Sequence, residues 1–138
     1  MVWKIDSTTG GDLDPEEVIE LYRASGLGDR RPIDDVERFG TMLRHANLVV
    51  ACRHEGQLVG IARGMSDFSY VTYLSDIAVR REYQRSGIGR ELIEATRVRA
   101  PNTKIVLLSA PAAVGYYPRV GFTAHSSAWV LESGAHLT

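Results

Sequence analysis

Cysteine is nearly missing from this chain, and Cys52 stands alone. A single thiol excludes an internal disulfide framework and fits a reducing compartment, so a cytoplasmic protein is expected. Its neighbours in LVVACRH are mostly apolar, which favours a buried, inert thiol over a nucleophile. No stretch approaches the roughly 20 apolar residues of a membrane span. The N-terminal MVWKIDSTTG lacks the apolar centre of a secretory signal. Neither sign of charge dominates: 16 Lys and Arg face 17 Asp and Glu, for a net charge of −1. No basic field therefore argues for nucleic acid or an anionic membrane as partner. Metal-ligand spacing is also missing. His45, His54, His125 and His136 are scattered, HEGQL lacks the second histidine of a zinc helix, and no metal is expected. No Gly-Lys-Ser/Thr occurs, which removes a P-loop.

What is present suits a folded domain. The 138 residues, 44% of them apolar and 24% charged, are enough for one core, and a single domain over 1–138 is expected. VWKIDSTT alternates and reads as a strand. DPEEVIELYRASG reads as a helix, with Asp14 as cap, Pro15 in the first turn, Glu17 completing a capping box and Gly26 ending it. Its stripe is Val18, Leu21 and Tyr22. DDVERFGTMLRHAN is a second helix, with Val36, Phe39, Leu43 and Ala46 on one face. LVVACRHEGQLVGIARG reads as a hairpin turning at Glu55-Gly56. SYVTYLSDIAV is a longer strand, whose residues Val71, Tyr73, Ser75, Ile77 and Val79 share a face unless a bulge intervenes.

The next helix runs through IGRELIEATRVRA, with Ile88, Leu92, Ala95 and Val98 as its stripe, Arg90 and Glu94 paired at i, i+4, and Pro101 as its stop. KIVLLS reads as a buried strand. APAAVGYYPRVG holds a short helix ended by Pro118 and Gly121, and FTAHSSAWVLE closes the chain as a strand or two. The expected order is β-α-α-β-β-β-α-β-α-β, an α/β fold with a mixed sheet and helices on both faces.

The stretch REYQRSGIGRE, residues 81–91, puts two glycines between strand and helix. A helix N-terminus leaves its first N–H groups unpaired and partially positive. Glycines there let the chain turn tightly and let a ligand approach the backbone. Together they suit a phosphate or pyrophosphate, with Arg85 and Arg90 adding charge. The loop alone does not separate this from a tightly packed strand-to-helix turn. A dinucleotide fold is disfavoured: Leu92 stands where the fingerprint needs a third glycine, and the loop follows a three-strand meander.

Two segments carry a more specific resemblance. Gln84-Arg85-Ser86-Gly87-Ile88-Gly89, after the strand end Ile77-Ala78-Val79, resembles the acyl-CoA motif of the GCN5-related N-acetyltransferase (GNAT) superfamily. AVGYYPRVGF, residues 113–122, is similar to a second family segment, with Tyr116 where Phe is common and Tyr117 matching the tyrosine. GQLVGIARGMSD is also similar to small single-domain bacterial members. The family's usual Asn after the fifth strand is replaced by SAPAA, where Ser109 could substitute.

The resemblance implies acetyl-CoA as acyl donor and an amine as acceptor. It places Ile77, Ala78 and Val79 along the pantetheine, and Gln84, Arg85, Ser86, Gly87, Ile88, Gly89 and Arg90 around the pyrophosphate. Tyr117 corresponds to the general acid, and Asp76 is a candidate base beside ordered water. Tyr22, Arg63 and Asp67 are candidates for the acceptor pocket, with Asp67 and Asp76 together suiting a cationic amine. A small-molecule amine leads, ahead of peptide or protein amines and of a non-catalytic acyl-CoA sensor. A homodimer is compatible with the family.

Overall fold

The computed structural model describes residues 2–138. Two compact units divide the chain, Met1–Leu108 and Ser109–Thr138. The first holds a five-stranded sheet in the order β1-β2-β3-β4-β5, built from β1 (Lys4–Thr8), β2 (Leu48–His54), β3 (Gln57–Ser66), β4 (Val71–Val79) and β5 (Lys104–Val106). The first four strands pair antiparallel and β5 joins β4 in parallel, so the sheet is mixed as expected.

The β2–β3 hairpin turns at Glu55 (φ 51°) and Gly56 (φ 81°). Two positive φ values in a two-residue loop match the right-handed twist of the strands it joins. Helix α1 (Pro15–Ser25) begins at Asp14, whose side chain accepts from the Glu16 N–H, and ends at Gly26 with φ 91°. Glu17 does not close a capping box. It forms a two-point ion pair with Arg53 of β2 at 2.9 Å, because a guanidinium is a stronger partner than a backbone N–H. Helix α2 (Val36–Arg44) is capped by Asp35, and Phe39 and Leu43 are buried. Val36, in the first turn, is exposed.

Helices α1 and α2 cover one face, where Val18, Tyr22, Phe39 and Leu43 pack with Val49, Ala51, Leu58 and Ile61. Helix α3 (Ile88–Arg99) takes the other. A Cβ on Gly60 would meet Ile88 Cγ2 at 3.1 Å and Leu92 Cδ1 at 3.3 Å, so glycine lets α3 lie close on the sheet. The buried stripe of α3 is Ile88, Leu92, Ile93 and Thr96. Val98 is 69% exposed, since 3.6 residues per turn carries it past the face centred on Leu92 and Thr96. Glu94 pairs with Arg97 at 3.2 Å instead of with Arg90.

The C-terminal part departs most from expectation. Strand β5 is three residues long and not buried. In the second unit, α4 (Tyr116–Arg119) contains Pro118, and Gly121 follows it with φ 109°. The segment 122–138 forms no strand, and Trp129 is 91% exposed. The apolar run AWVL within HSSAWVLE has strand propensity, but propensity without a paired neighbour does not make a strand. No helix among the described residues is long and apolar enough to cross a membrane.

Candidate active site

Strand β5 pairs with β4 only at residues 71–73. From residue 74 to 79, β4 has its ladder to β3 and no partner strand on the β5 side among the described residues. Peptide groups left this way on a strand edge accept another extended chain. The ladder to β3 is also irregular. Arg63 pairs with Asp76 but Gly64 with Leu74, which leaves Ser75 without an opposite residue. A Cβ on Gly64 would sit 2.8 Å from Tyr73 O, a backbone atom, so the irregular register needs glycine there. Even-numbered residues Thr72, Leu74, Asp76 and Ala78 face inward and are buried. The expected set Val71, Tyr73, Ser75, Ile77 and Val79 is the half-exposed face.

Strand β4 leads into the loop 84–89 through a short turn at Arg81–Tyr83. Arg85 (φ 63°) and Gly87 (φ 96°) both adopt left-handed backbone. The turn brings the chain to α3 with Gly87 as N-cap and no side-chain cap. Open space lies where a Gly87 Cβ would be. The first N–H groups of α3 thus have neither an intrahelical nor a side-chain acceptor, the arrangement that suits a phosphate. Arg85 and Arg90 are exposed beside it. Ser86 Oγ donates to Tyr83 O, and the Ile88 side chain is buried, so these two residues can offer a ligand their N–H groups. Gln84 is a tie within the protein: its amide donates to Val79 O at 2.8 Å and to Ser25 O at 3.3 Å.

Asp76 lies at the centre of a buried network. Its Oδ2 accepts from Tyr22 Oη and Arg63 Nε, each at 2.6 Å. Its Oδ1 accepts from Arg31 Nε at 2.7 Å and Ser75 Oγ at 3.2 Å. Burial pushes this carboxyl up, but the charges and hydrogen bonds of Arg63, Tyr22 and Arg31 outweigh it and hold the pKa below the ordinary value. A carboxylate that is buried, fully engaged and weakly basic is the opposite of an accessible base, so the expected base role is corrected to that of an anchor. The same geometry corrects two acceptor candidates. Tyr22 is wholly buried, edge-on to Phe39 with centroids 5.0 Å apart. Burial first and then the Asp76 charge push its phenol well above the usual value. Arg63 is committed to Asp76 and Ser75.

Asp67, the third acceptor candidate, closes the β3–β4 turn by accepting from the N–H groups of Ser69, Tyr70 and Val71 at 2.7–3.0 Å. It is a turn cap, not a free anion for a cationic amine. Sequence reasoning placed the segment SGLGDRRP, residues 25–32, over the acceptor pocket without singling out Arg31, and gave Ser75 no role in the site. Arg31 lies in SGLGDRRP, which carries no local sign that its partner is 45 residues away. Cys52 is buried, and burial followed by the Glu91 charge pushes its thiol to about 11.

In the second unit, Ser109 precedes a short turn at Pro111–Ala113. Tyr117 sits on α4, edge-on to Tyr116 and Phe122 at 5.3 and 5.4 Å. Burial, then the neighbouring Tyr116, pushes its phenol above the ordinary value. No cluster of His, Cys, Asp or Glu among the described residues could hold a metal ion.

A strand edge released beside an uncapped helix N-terminus has the form that suits an extended, phosphate-bearing ligand. The family profile described as "Acetyltransferase (GNAT) domain" matches residues 31–137. The chain belongs to this family. It is 26% identical over 117 residues to the uncharacterized N-acetyltransferase ycf52 of Porphyra purpurea, covering 75% of this chain and 65% of that protein. The chain therefore spans slightly less than two thirds of that relative. A GNAT family acetyltransferase from Streptococcus pneumoniae shares the fold, with a TM-score of 0.75, 22% identity and coverage of 94% and 98% of the two chains. So does an aminoglycoside acetyltransferase from an uncultured soil metagenomic sample, at TM-score 0.68 and 23% identity over 99% and 97%.

Proposed function

We propose that this chain transfers an acetyl group from acetyl-CoA to a primary amine of a small molecule, acting as one domain over 1–138. The observation that carries the reading is the junction of the released β4 edge with the loop 84–89 at the start of α3. An extended amide-bearing arm and a pyrophosphate match those two features in order.

Acetyl-CoA supplies the acyl group as an activated thioester. Backbone groups of Ile77, Ala78 and Val79 would pair with its pantetheine arm. The N–H groups of residues 85–90, with the Arg85 and Arg90 side chains, would hold its pyrophosphate, and Ser109 would serve the contact that Asn makes in other members. A strand N–H beside the bulge polarises the thioester carbonyl. Asp76, paired with Arg63 and Arg31, keeps the bulge in register, and the amine loses its proton to water. Tyr117, with its raised pKa, gives a proton to the departing thiolate.

Thermal unfolding with and without acetyl-CoA, beside NAD as control, tests the donor half. A donor at 100 times its dissociation constant stabilises by about 2.7 kcal/mol, which raises the midpoint by several degrees. CoA release on an amine panel tests the transfer. No shift with saturating acetyl-CoA would overturn the reading.

A further inference from the structure

The charges that meet at the bulge do not cancel. Asp76 brings one negative charge, while Arg63 and Arg31 bring one positive charge each. Among the described residues, neither arginine has an ion pair with a second carboxylate. Of the acids nearby in sequence, Asp34 pairs with Arg23 at 3.6 Å, Asp35 accepts from the Arg38 N–H, and Asp29 makes no ion pair with either arginine. Excess charge in a desolvated cluster is costly unless something answers it.

That charge is not shared evenly with solvent. The Arg63 side chain is 7% exposed and that of Arg31 is 21% exposed, so Arg31 is the outer member. Its Nε donates to Asp76, one terminal nitrogen to Arg30 O at 2.8 Å and the other to Ser75 O at 2.9 Å. A guanidinium has five N–H groups in a fixed plane. One therefore remains on each terminal nitrogen, held in place by the three bonds already made. Each can donate to an oxygen of an anionic group.

We infer that Arg31 recognises an anionic group of the acceptor, and that the amine acetylated here carries a carboxylate in the same molecule. This rests on the acyl-transfer reading, which puts the thioester along β4 next to the Ser75 carbonyl that Arg31 grips. It is also consistent with Asp67 and Asp76, the two carboxylates expected to suit a cationic amine, being engaged within the protein.

The test sets each L-amino acid beside its own carboxamide as acceptor and reads kcat/KM from CoA release. The expected result is a preference for at least one carboxylate-bearing amine over its amide. That preference falls about tenfold or more in Arg31→Gln, the scale of a charge-assisted hydrogen bond, and falls less in Arg31→Lys. A merely structural role would lower both acceptors alike and leave the ratio unchanged, which overturns the inference. A second measurement stands apart from turnover: the Arg31 guanidinium NMR resonance, assigned by its loss in Arg31→Lys, is followed on adding the same probes. A shift with an amino acid and not its amide supports the inference even if no acetyl-CoA binds, in which case the acyl-transfer reading alone fails. Acetyl-CoA turnover with amides equal to acids, and an unmoved resonance, leaves that reading intact and removes the role of Arg31.

Discussion

The hydroxyl of Tyr22, in the middle of α1, donates to the carboxylate of Asp76 on β4 over 2.6 Å, across 54 positions of sequence. This bond joins the first helix to the strand whose edge is released, and both ends are buried. Removing one partner of such a network leaves the others desolvated. Asp76→Asn is expected to destabilise the fold by about 3–5 kcal/mol, because two arginines lose their counter-charge. Tyr22→Phe is expected to cost about 1–3 kcal/mol, since Asp76 keeps its arginines. Denaturant titration of both variants checks the order. Equal losses would mean that the hydroxyl, and not the charge, holds the network.

The pH dependence of stability follows from four carboxylates. The N–H groups of Tyr70, Ser69 and Val71 hold Asp67 below its ordinary value. The Arg53 hydrogen bond lowers the pKa of Glu17 and the Arg80 hydrogen bond that of Glu20, while Asp76 is lowered against the cost of its burial. A carboxyl whose folded pKa lies below its unfolded value binds its proton more readily in the unfolded chain. Its contribution is therefore present above the unfolded pKa, near 4, and is lost as pH falls through the folded value. The midpoint of unfolding should hold steady above about pH 5 and drop below about pH 4. In Asp76→Asn the acid drop should be shallower.

Gly87→Ala puts a side chain on backbone at φ 96°. Space is open there, so the cost is conformational, about 1–2 kcal/mol. The expected signature is a reduced thermal shift with acetyl-CoA, beyond the loss of intrinsic stability. Gly11→Ala, where a Cβ also meets nothing and no positive φ is needed, serves as the control with an unchanged shift.

Tyr117→Phe is expected to lower kcat by about 10²-fold, the scale of a general acid, while the acetyl-CoA thermal shift persists. An unchanged kcat would assign Tyr117 to packing against Tyr116 and Phe122.

Cys52 should resist alkylation in the folded protein at pH 7–8, because burial keeps its thiol protonated to about pH 11. Reaction should follow unfolding, and rapid labelling of the native chain would contradict the buried thiol.

The parts of this fold legible in sequence are those dictated by local chemistry. Asp14, Pro15 and Gly26 mark the ends of α1 because caps act within one turn, and Glu55-Gly56 marks its turn because glycine takes a positive φ at no steric cost. The glycine loop announces a helix start with bare N–H groups. What could not be read depends on partners far along the chain. Asp76 looks like any carboxylate near a strand end until Tyr22, Arg31 and Arg63 are brought around it. Asp67 looks free until the hairpin folds its own N–H groups onto it. Val98 fits an apolar stripe by spacing, but the face of α3 is chosen by Gly60 and β2. The last strand failed for the same reason: an apolar run states what a strand could bury, not whether a neighbour exists to pair with it.

The early parting of β5 from β4 has a price in solution behaviour. A strand stretch with its peptide groups unanswered is where another unfolding chain can add itself, and natural sheets usually guard such edges with charge or proline. Residues 74–79, LSDIAV, hold one charge, turned inward at Asp76, and no proline. A ligand laid along this edge would then act as a guard as well as a reactant. Stocks kept with acetyl-CoA should stay clear on prolonged warming at concentrations where the bare protein turns cloudy.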